Sequence, residues 1–371
     1  MIIEKAGSKR DLSAFIEVPY RLFRSREEWI PPLRMMQRNF LSPRHNRFLA
    51  DSETLCCIAR RDGEVAGRIM GIINRRLEEV ETKKQARFCS LDVQDDQEAA
   101  SALLAVVEEW AKSRGLVRLV GPLGFSNQDP QGFIVEGFQE RPALNTIHNF
   151  EYVPGLMEKA GYAKEIDYVT YKIPLPERAP DIYYKLAPRV LKRNRVKLLE
   201  FRRKAQAVRY LPAMLRFMNR TYRDIYGFVP LDERGIRHSA GTYSRIMNPE
   251  FLKVVIDGDD EMAAFILGTR DLSDGLKAAG GRLFPLGYLR LKASQHRAKR
   301  LDLLLGAIRE DYRGRGLDVL MALAMLKSAQ EAGMEYMDSH HELESNTLVQ
   351  AEMRRMGGHI YKRHRVYAKM L

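Results

Sequence analysis

Two clusters in the last quarter of the chain have the residue types and spacing for chemistry. The first is Arg313-Gly314-Arg315-Gly316. It lies between an apolar run at 301–308, broken by Gly306, and a stretch with Leu317, Leu320, Met321, Leu323, Ala324 and Leu326 at helical spacing. The pattern predicts strand, turn and helix, with Gly333 closing the helix. The first amides of such a helix have no intrahelical acceptor, and its dipole favours an anion there. Gly314 and Gly316 let the backbone approach a ligand, and Arg313 and Arg315 add positive charge. No Gly-Lys-Ser/Thr follows, so this is not a Walker loop. The third glycine and the later ribose-binding acid of the dinucleotide fingerprint are also missing.

The second cluster is Asp338, His340, His341, Glu342 and Glu344. A short strand is expected at 336–341, and its alternation would put Asp338, His340 and Glu342 on one face and Ser339 and His341 on the other. Histidine titrates near neutrality and suits proton abstraction, directly or through water. Three readings stay open: a general base, a metal site, or polar residues at a strand end. Adjacent histidines on a strand point apart and no second ligand cluster is evident, so no metal is expected.

The elements that must position these groups fall into two halves. A chain of 371 residues with 45% hydrophobic content is comfortable for two well-packed domains. In the first half a helix is expected at 8–22 and a hairpin at 55–60 and 64–74 around Asp62-Gly63. A strand at 87–93, a helix at 95–114 and a strand at 116–120 follow, then a long ordered loop over 121–168 holding a short helix at 152–160. Pro174, Pro176 and Pro180 mark a boundary. The expected division is 1–175, a basic linker helix within 176–210, and 211–371. The linker helix, at 181–205, reads first as a solvated face and second as a neighbour of phosphates or an anionic membrane. In the second half helices at 212–226 and 232–246 precede strands at 251–256 and 262–269. An insertion at 271–299 ends in a basic amphipathic helix at 285–297, which would pack on the core, close over an acceptor or lie on anionic lipid.

A formal charge of +13 favours an anionic partner. Nucleic acid ranks last, because the charge is scattered and no groove-reading element is evident. Three cysteines, Cys56, Cys57 and Cys89, make no disulfide framework. The start of the chain lacks an apolar signal core, and no window approaches a ~20-residue apolar span. The expected location is cytoplasmic, with peripheral contact at the inner membrane face as an addition.

The turn and its flanking elements resemble motif A of the GNAT (GCN5-related N-acetyltransferase) superfamily, in which such a turn holds the pyrophosphate of acyl-CoA. Arg313, Gly314, Arg315, Gly316 and Leu317 match, while Asp318 stands where Gly or Ala is usual. Val65 to Ile69, Gly121-Pro122, Gly137-Phe138 with Pro142, Gly227 to Pro230 and Glu344-Ser345-Asn346 extend the resemblance to a bacterial tandem-GNAT family over almost the whole chain. The implied fold class is α/β (α+β): two tandem GNAT folds, each a mixed, mostly antiparallel sheet flanked by helices. The first would be degenerate, since Gln94 to Glu98 replaces its cofactor turn with an acidic one. The resemblance also implies acyl-CoA as co-substrate, held by Gly306, Ala307, Ile308, Arg313 to Leu317 and Asn346. The catalytic candidates are His340, His341, Glu344 and Tyr361. The family's usual acid, a tyrosine seven or eight residues past Asn346, is replaced by Met353 and Arg354. His148 and Asn149 are candidates for an acceptor pocket between the domains. The implied activity is acyl transfer to a small-molecule or lipid amine. The alternatives are a lipid-modifying enzyme acting on a long-chain, sphingoid-type amine, as bacterial ceramide synthases do, and a non-catalytic CoA- or anion-binding protein.

Overall fold

A computed structural model describes residues 1–78 and 84–371. The first half supplies β1 (Ile2–Lys5), β2 (Ser52–Arg61), β3 (Glu64–Asn74), β4 (Gln85–Val93), β5 (Arg118–Gly121), β6 (Phe133–Glu136) and β7 (Ala163–Pro174). The second supplies β8 (Lys197–Glu200), β9 (Leu252–Ile256), β10 (Met262–Arg270), β11 (Arg300–Ile308), β12 (Tyr336–Asp338), β13 (Glu342–Leu343) and β14 (His359–Met370). They form one sheet in the order β1-β2-β3-β4-β5-β14-β7-β12-β11-β10-β9-β8, with β6 on β14 and β13 on β7. Each half is an antiparallel meander followed by one parallel pair, β4–β5 and β11–β12. A helix connects each parallel pair, Gln97–Lys112 and Leu317–Glu331. Parallel strands need such a crossover.

The halves exchange their last strands. β14 lies between β5 and β7, and β7 lies between β14 and β12. Both are 12-residue strands, paired antiparallel from His359↔Lys172 to Ala368↔Ala163. The boundary expected at 175 falls at the end of β7, and the seam between the halves is itself sheet.

Two expectations are corrected. The basic segment 181–205 is not one solvated linker helix. A helix at Asp181–Asn194 ends at Arg195, which has φ +52°, and β8 follows. Tyr183, Ala187 and Val190, spaced four and three apart, form a buried stripe packed with residues of the helix Leu317–Glu331. The charges that marked the segment as solvated are only its outer face.

The strand expected at 336–341 stops at Asp338. Asp338 opposes Lys172 and Glu342 opposes Val169, so four steps along one chain match three along the other. The extra residue is accommodated where His340 takes φ +60°, a β-bulge. Opposed residues share a sheet face, and Lys172 and Val169 lie on opposite faces. Asp338 and Glu342 are therefore separated to opposite faces, against simple alternation.

Buried charges lock the seam. The Lys362 Nζ of β14 donates to Asp338 Oδ2 at 2.8 Å and to the Arg141 carbonyl at 3.1 Å. Arg300 on β11 holds Asp302 Oδ1 at 2.6 Å, Asp271 Oδ1 at 2.8 Å and the Pro142 carbonyl at 2.9 Å. Burial pushes the Asp338 carboxyl up, but Lys362 and then Arg300 outweigh it and hold it well below the carboxylate range. Removing one member of a fully buried pair strands the other. Lys362→Met is expected to lower the unfolding free energy by about 3–5 kcal/mol, read from urea denaturation. A loss no larger than that of an exposed lysine would mean the network does not hold the halves together.

Candidate active site

The site begins where β11 and β12 part. They pair only from Arg300↔Tyr336 to Asp302↔Asp338, while β11 runs on to Ile308. Leu267 of β10 opposes Leu305 and Gly268 opposes Leu303, so Leu304 is bulged. Beyond the bulge, β11 offers backbone groups on the edge that β12 has left. The Tyr222 hydroxyl sits on that edge, donating to the Gly306 carbonyl at 2.8 Å and accepting from the Gly306 N–H at 3.3 Å.

A cavity of about 1950 Å³ runs through this gap. Its lining includes Gly316, Val319, Met321, Met353 and Tyr243 of the second half and Phe48, Leu144 and His148 of the first. It joins the two halves, reaching Cys89 to Asp92 on β4. Most of the lining is apolar, and the volume is about twice the upper end for a drug-sized ligand site.

The predicted turn stands at one end. Gly316 precedes the helix Leu317–Glu331 with φ +87° and no side chain caps the helix. A Cβ there would lie 2.7 Å from Val190 Cγ2, so the αL position and the packing both require glycine. Arg313, Gly314, Gly316 and Asp318 line the cavity. Leu317 is core, and the Arg315 guanidinium lies 5.4 Å from the Tyr312 ring centroid. The turn thus presents an uncapped helix start and the Arg313 side chain to the cavity, beside the carboxylate of Asp318.

The other cluster is divided by the bulge. His340 Nε2 contacts the Leu144 carbonyl at 2.9 Å, which ties it to the first half. The His341 ring lies 4.3 Å from that of His364 and 5.4 Å from Tyr168, and its buried Nε2 has no hydrogen-bond partner. Burial, then His364 and His340, hold His341 well below the usual histidine value, and burial with Lys362 takes His364 to about 3. Both are neutral at working pH. Glu342 lines the cavity, and burial raises its carboxyl from 4.5 to about 8.

The remaining expected residues divide as follows. Gly306, Ala307, Ile308, Asn346 and His148 line the cavity. Asn346 also caps the helix Thr347–Arg355 by accepting from the Val349 N–H. Glu344 does not line it; its carboxylate pairs with Lys164 at 2.6 Å and Arg363 at 3.7 Å. Tyr361 donates to Asp338 within the buried charge network. Asn149 is a structural tether, bonding Ile134 N–H at 2.7 Å and the Ile134 carbonyl at 3.1 Å. None of these three lines the cavity. Tyr222 was missed: it follows the helix Leu211–Thr221, and no local pattern ties it to Gly306, 84 positions on. Glu342 was visible in the cluster, but its placement depends on the bulge.

The equivalent end of the first half is closed. Asp96 caps the helix Gln97–Lys112 by accepting from the Ala99 N–H, and Arg61 pairs with Asp96 at 2.7 Å. Among the described residues no group of three or more His, Cys, Asp or Glu could hold a metal ion. No described helix is long and apolar enough to cross a membrane.

The architecture is the tandem GNAT fold. A tandem GNAT protein from the clavulanic acid biosynthesis pathway superposes with a TM-score of 0.56 at 12% identity, covering 100% of this chain and 98% of that one. Two curated proteins align along nearly their full lengths. Protein YghO of Escherichia coli (strain K12) is 26% identical over 98% of this chain and 94% of its own. The bacterial ceramide synthase of Caulobacter vibrioides (strain NA1000 / CB15N) is 28% identical over 97% of this chain and 95% of its own. No family model matches the chain.

The raised Glu342 carboxyl makes a testable demand on stability. Between about pH 4.5 and 8 it keeps a proton in the folded state that the unfolded chain releases. Folding stability from this residue is therefore lost as pH rises through that window. Urea denaturation at either end should show wild type losing more than about 1 kcal/mol relative to Glu342→Gln. Parallel pH dependence of the two proteins would place Glu342 in solvent.

Proposed function

We propose that the protein is an acyl-CoA-dependent N-acyltransferase whose acceptor is a long-chain amine. The fold supports acyl transfer as the class. The observation that carries the acceptor is the cavity: about 1950 Å³, largely apolar, and shared by both halves. A pantetheine arm and an acetyl group need little of that space, whereas two long apolar chains would use it. The ceramide synthase relative, named for making a long-chain amide, agrees with this reading.

The chain's own groups divide the work. The amides of Gly314 and of the helix start at Gly316 to Asp318, with Arg313, hold the pyrophosphate of the donor, while the Arg315 N–H is kept by the Tyr312 carbonyl. The edge of β11 that β12 has left aligns the thioester arm at Ile308, and at Gly306 where the arm takes over the hydrogen bonds that the Tyr222 hydroxyl now makes. An amine must lose a proton to attack a thioester, and the best base titrates near the working pH. Glu342, with its carboxyl near 8, meets that requirement better than the histidines, which burial has made weak bases. Tyr222, whose hydroxyl burial keeps protonated, stands on Gly306 to supply a proton to the departing thiolate.

Calorimetric titration with acetyl-CoA and palmitoyl-CoA tests the donor site. Palmitoyl-CoA should bind more tightly, and Gly316→Asp should abolish binding of both. A folded wild type that binds neither would end the acyltransferase reading in favour of a non-catalytic binder. Equal affinity, with turnover only on short amines, would favour a small soluble acceptor. For Glu342→Gln, kcat should fall by about 10²–10⁴-fold with KM little changed. In wild type, kcat should rise with pH through about 8, because the ionised carboxylate is the active form. An unchanged pH limb in the variant would remove Glu342 from that role.

A further inference from the structure

The insertion at 271–299 folds into two helices, Ser273–Ala279 and Gly287–Arg297, which pack on each other. Between and along them, large apolar side chains face outward. Phe284 is 82% exposed, Leu289 60%, Leu286 54% and Tyr288 52%. Four such groups within six residues form a protruding apolar tip where a water-facing loop would carry polar ones. Residues 276–299 also hold Lys277, Arg282, Arg290, Lys292, Arg297 and Lys299, and no Asp or Glu.

The first half continues the same surface. Its helix Arg34–Phe40 is fixed to the insertion by Arg34, whose N–H donates to the Gly281 carbonyl at 3.0 Å and whose guanidinium donates to the Gly280 carbonyl at 2.9 Å. Met35 and Met36 are exposed beside it. Residues 34–47 carry Arg34, Arg38, Arg44 and Arg47 and again no acid. Acids that meet this surface are paired: Glu17 with Arg34 at 2.7 Å, Asp274 with Arg141 at 2.5 Å and Asp232 with Arg47 at 3.9 Å, which leaves Arg38 and Arg44 as the cations of 34–47 without an ion pair among the described residues. Met35, Met36, Leu283, Tyr288 and Leu291 also line the cavity, and Met35, Met36 and Tyr288 are exposed as well, so this surface borders the cavity.

We propose that this rim, the tip Phe284–Leu289 with its flanking lysines and arginines and Met35–Met36, docks the protein on an anionic lipid bilayer with that border of the cavity facing the membrane. Apolar groups that enter the acyl boundary, set among cations that meet lipid phosphates, make an interfacial anchor. A nucleic acid would match the cations but not the outward Phe284, Leu286 and Leu289. A second copy of the chain would bring the same cations face to face. The surface rests on the long-chain-acceptor reading for its purpose, since a chain partitioned in a bilayer could enter the cavity without crossing water. The docking itself is measurable without turnover.

The test is flotation of the full chain with vesicles of phosphatidylcholine alone and with about one part in three phosphatidylglycerol. Wild type should float with the anionic vesicles, stay behind with the neutral ones and be released by about 0.5 M salt. Phe284→Ser with Leu289→Ser, and separately Lys292→Glu with Arg297→Glu, should each weaken partitioning at least about tenfold. Calorimetric binding of palmitoyl-CoA should stay unchanged in both pairs, which reports that they are folded. Equal flotation on neutral vesicles, or full binding by both pairs, would overturn the proposal. So would a wild-type dimer in light scattering that Phe284→Ser with Leu289→Ser dissociates. Loss of palmitoyl-CoA binding in wild type, with docking intact, would end the acyltransferase reading and leave the docking surface standing.

Discussion

The exchange of β7 and β14 is the constraint on which the rest of the structure depends. Neither half completes its own sheet: β5 is covered by a strand from residue 359 onward, and β12 by one from residue 163 onward. The buried pair of Lys362 and Asp338 reinforces that seam from within. Loop residues 141–144 of the first half are drawn onto the same charges, through the carbonyls of Arg141 and Pro142 and the N–H of Leu144. Because these contacts also set the His340–Leu144 bond, the seam and one wall of the cavity are a single construction. A buried ionic network of this kind costs desolvation, and its return is registry: it fits only one alignment of the exchanged strands.

Much of the fold was legible because its signals are local. The Asp62-Gly63 turn, the capped helix at 97–112 and the strand–turn–helix around Gly316 all lie where residue patterns placed them. The signals that failed are those whose cause lies far along the chain. Charge density made residues 181–205 read as solvent-facing, while the buried stripe of Tyr183, Ala187 and Val190 is set by a helix more than a hundred positions away. Alternation failed at Ser339–His341 because register there is imposed by β7, and a one-residue bulge is invisible without the partner strand. That bulge decided the candidate site. It left Asp338 in the charge network, sent Glu342 into the cavity, and left Glu344 among Lys164 and Arg363.

The two halves keep the same local geometry and use it differently. The first retains its parting strands: β4 and β5 pair only from Gln85↔Arg118 to Arg87↔Val120, and Ser90 takes φ +50° within a register shift between β3 and β4. Its own chain then enters the gap, with the Leu123 N–H bonded to the Phe88 carbonyl at 2.8 Å. Asp96 and Arg61 finish the closure by occupying the helix terminus that an anion would need. Closing that end does not waste the half. Cys89, Ser90, Leu91 and Asp92, the residues just past its parting point, still open onto the shared cavity. The first half thus contributes lining to the same cavity as the second. The cavity therefore draws lining from both parting points, and in the sheet the exchanged strands β14 and β7 lie between the two parting pairs.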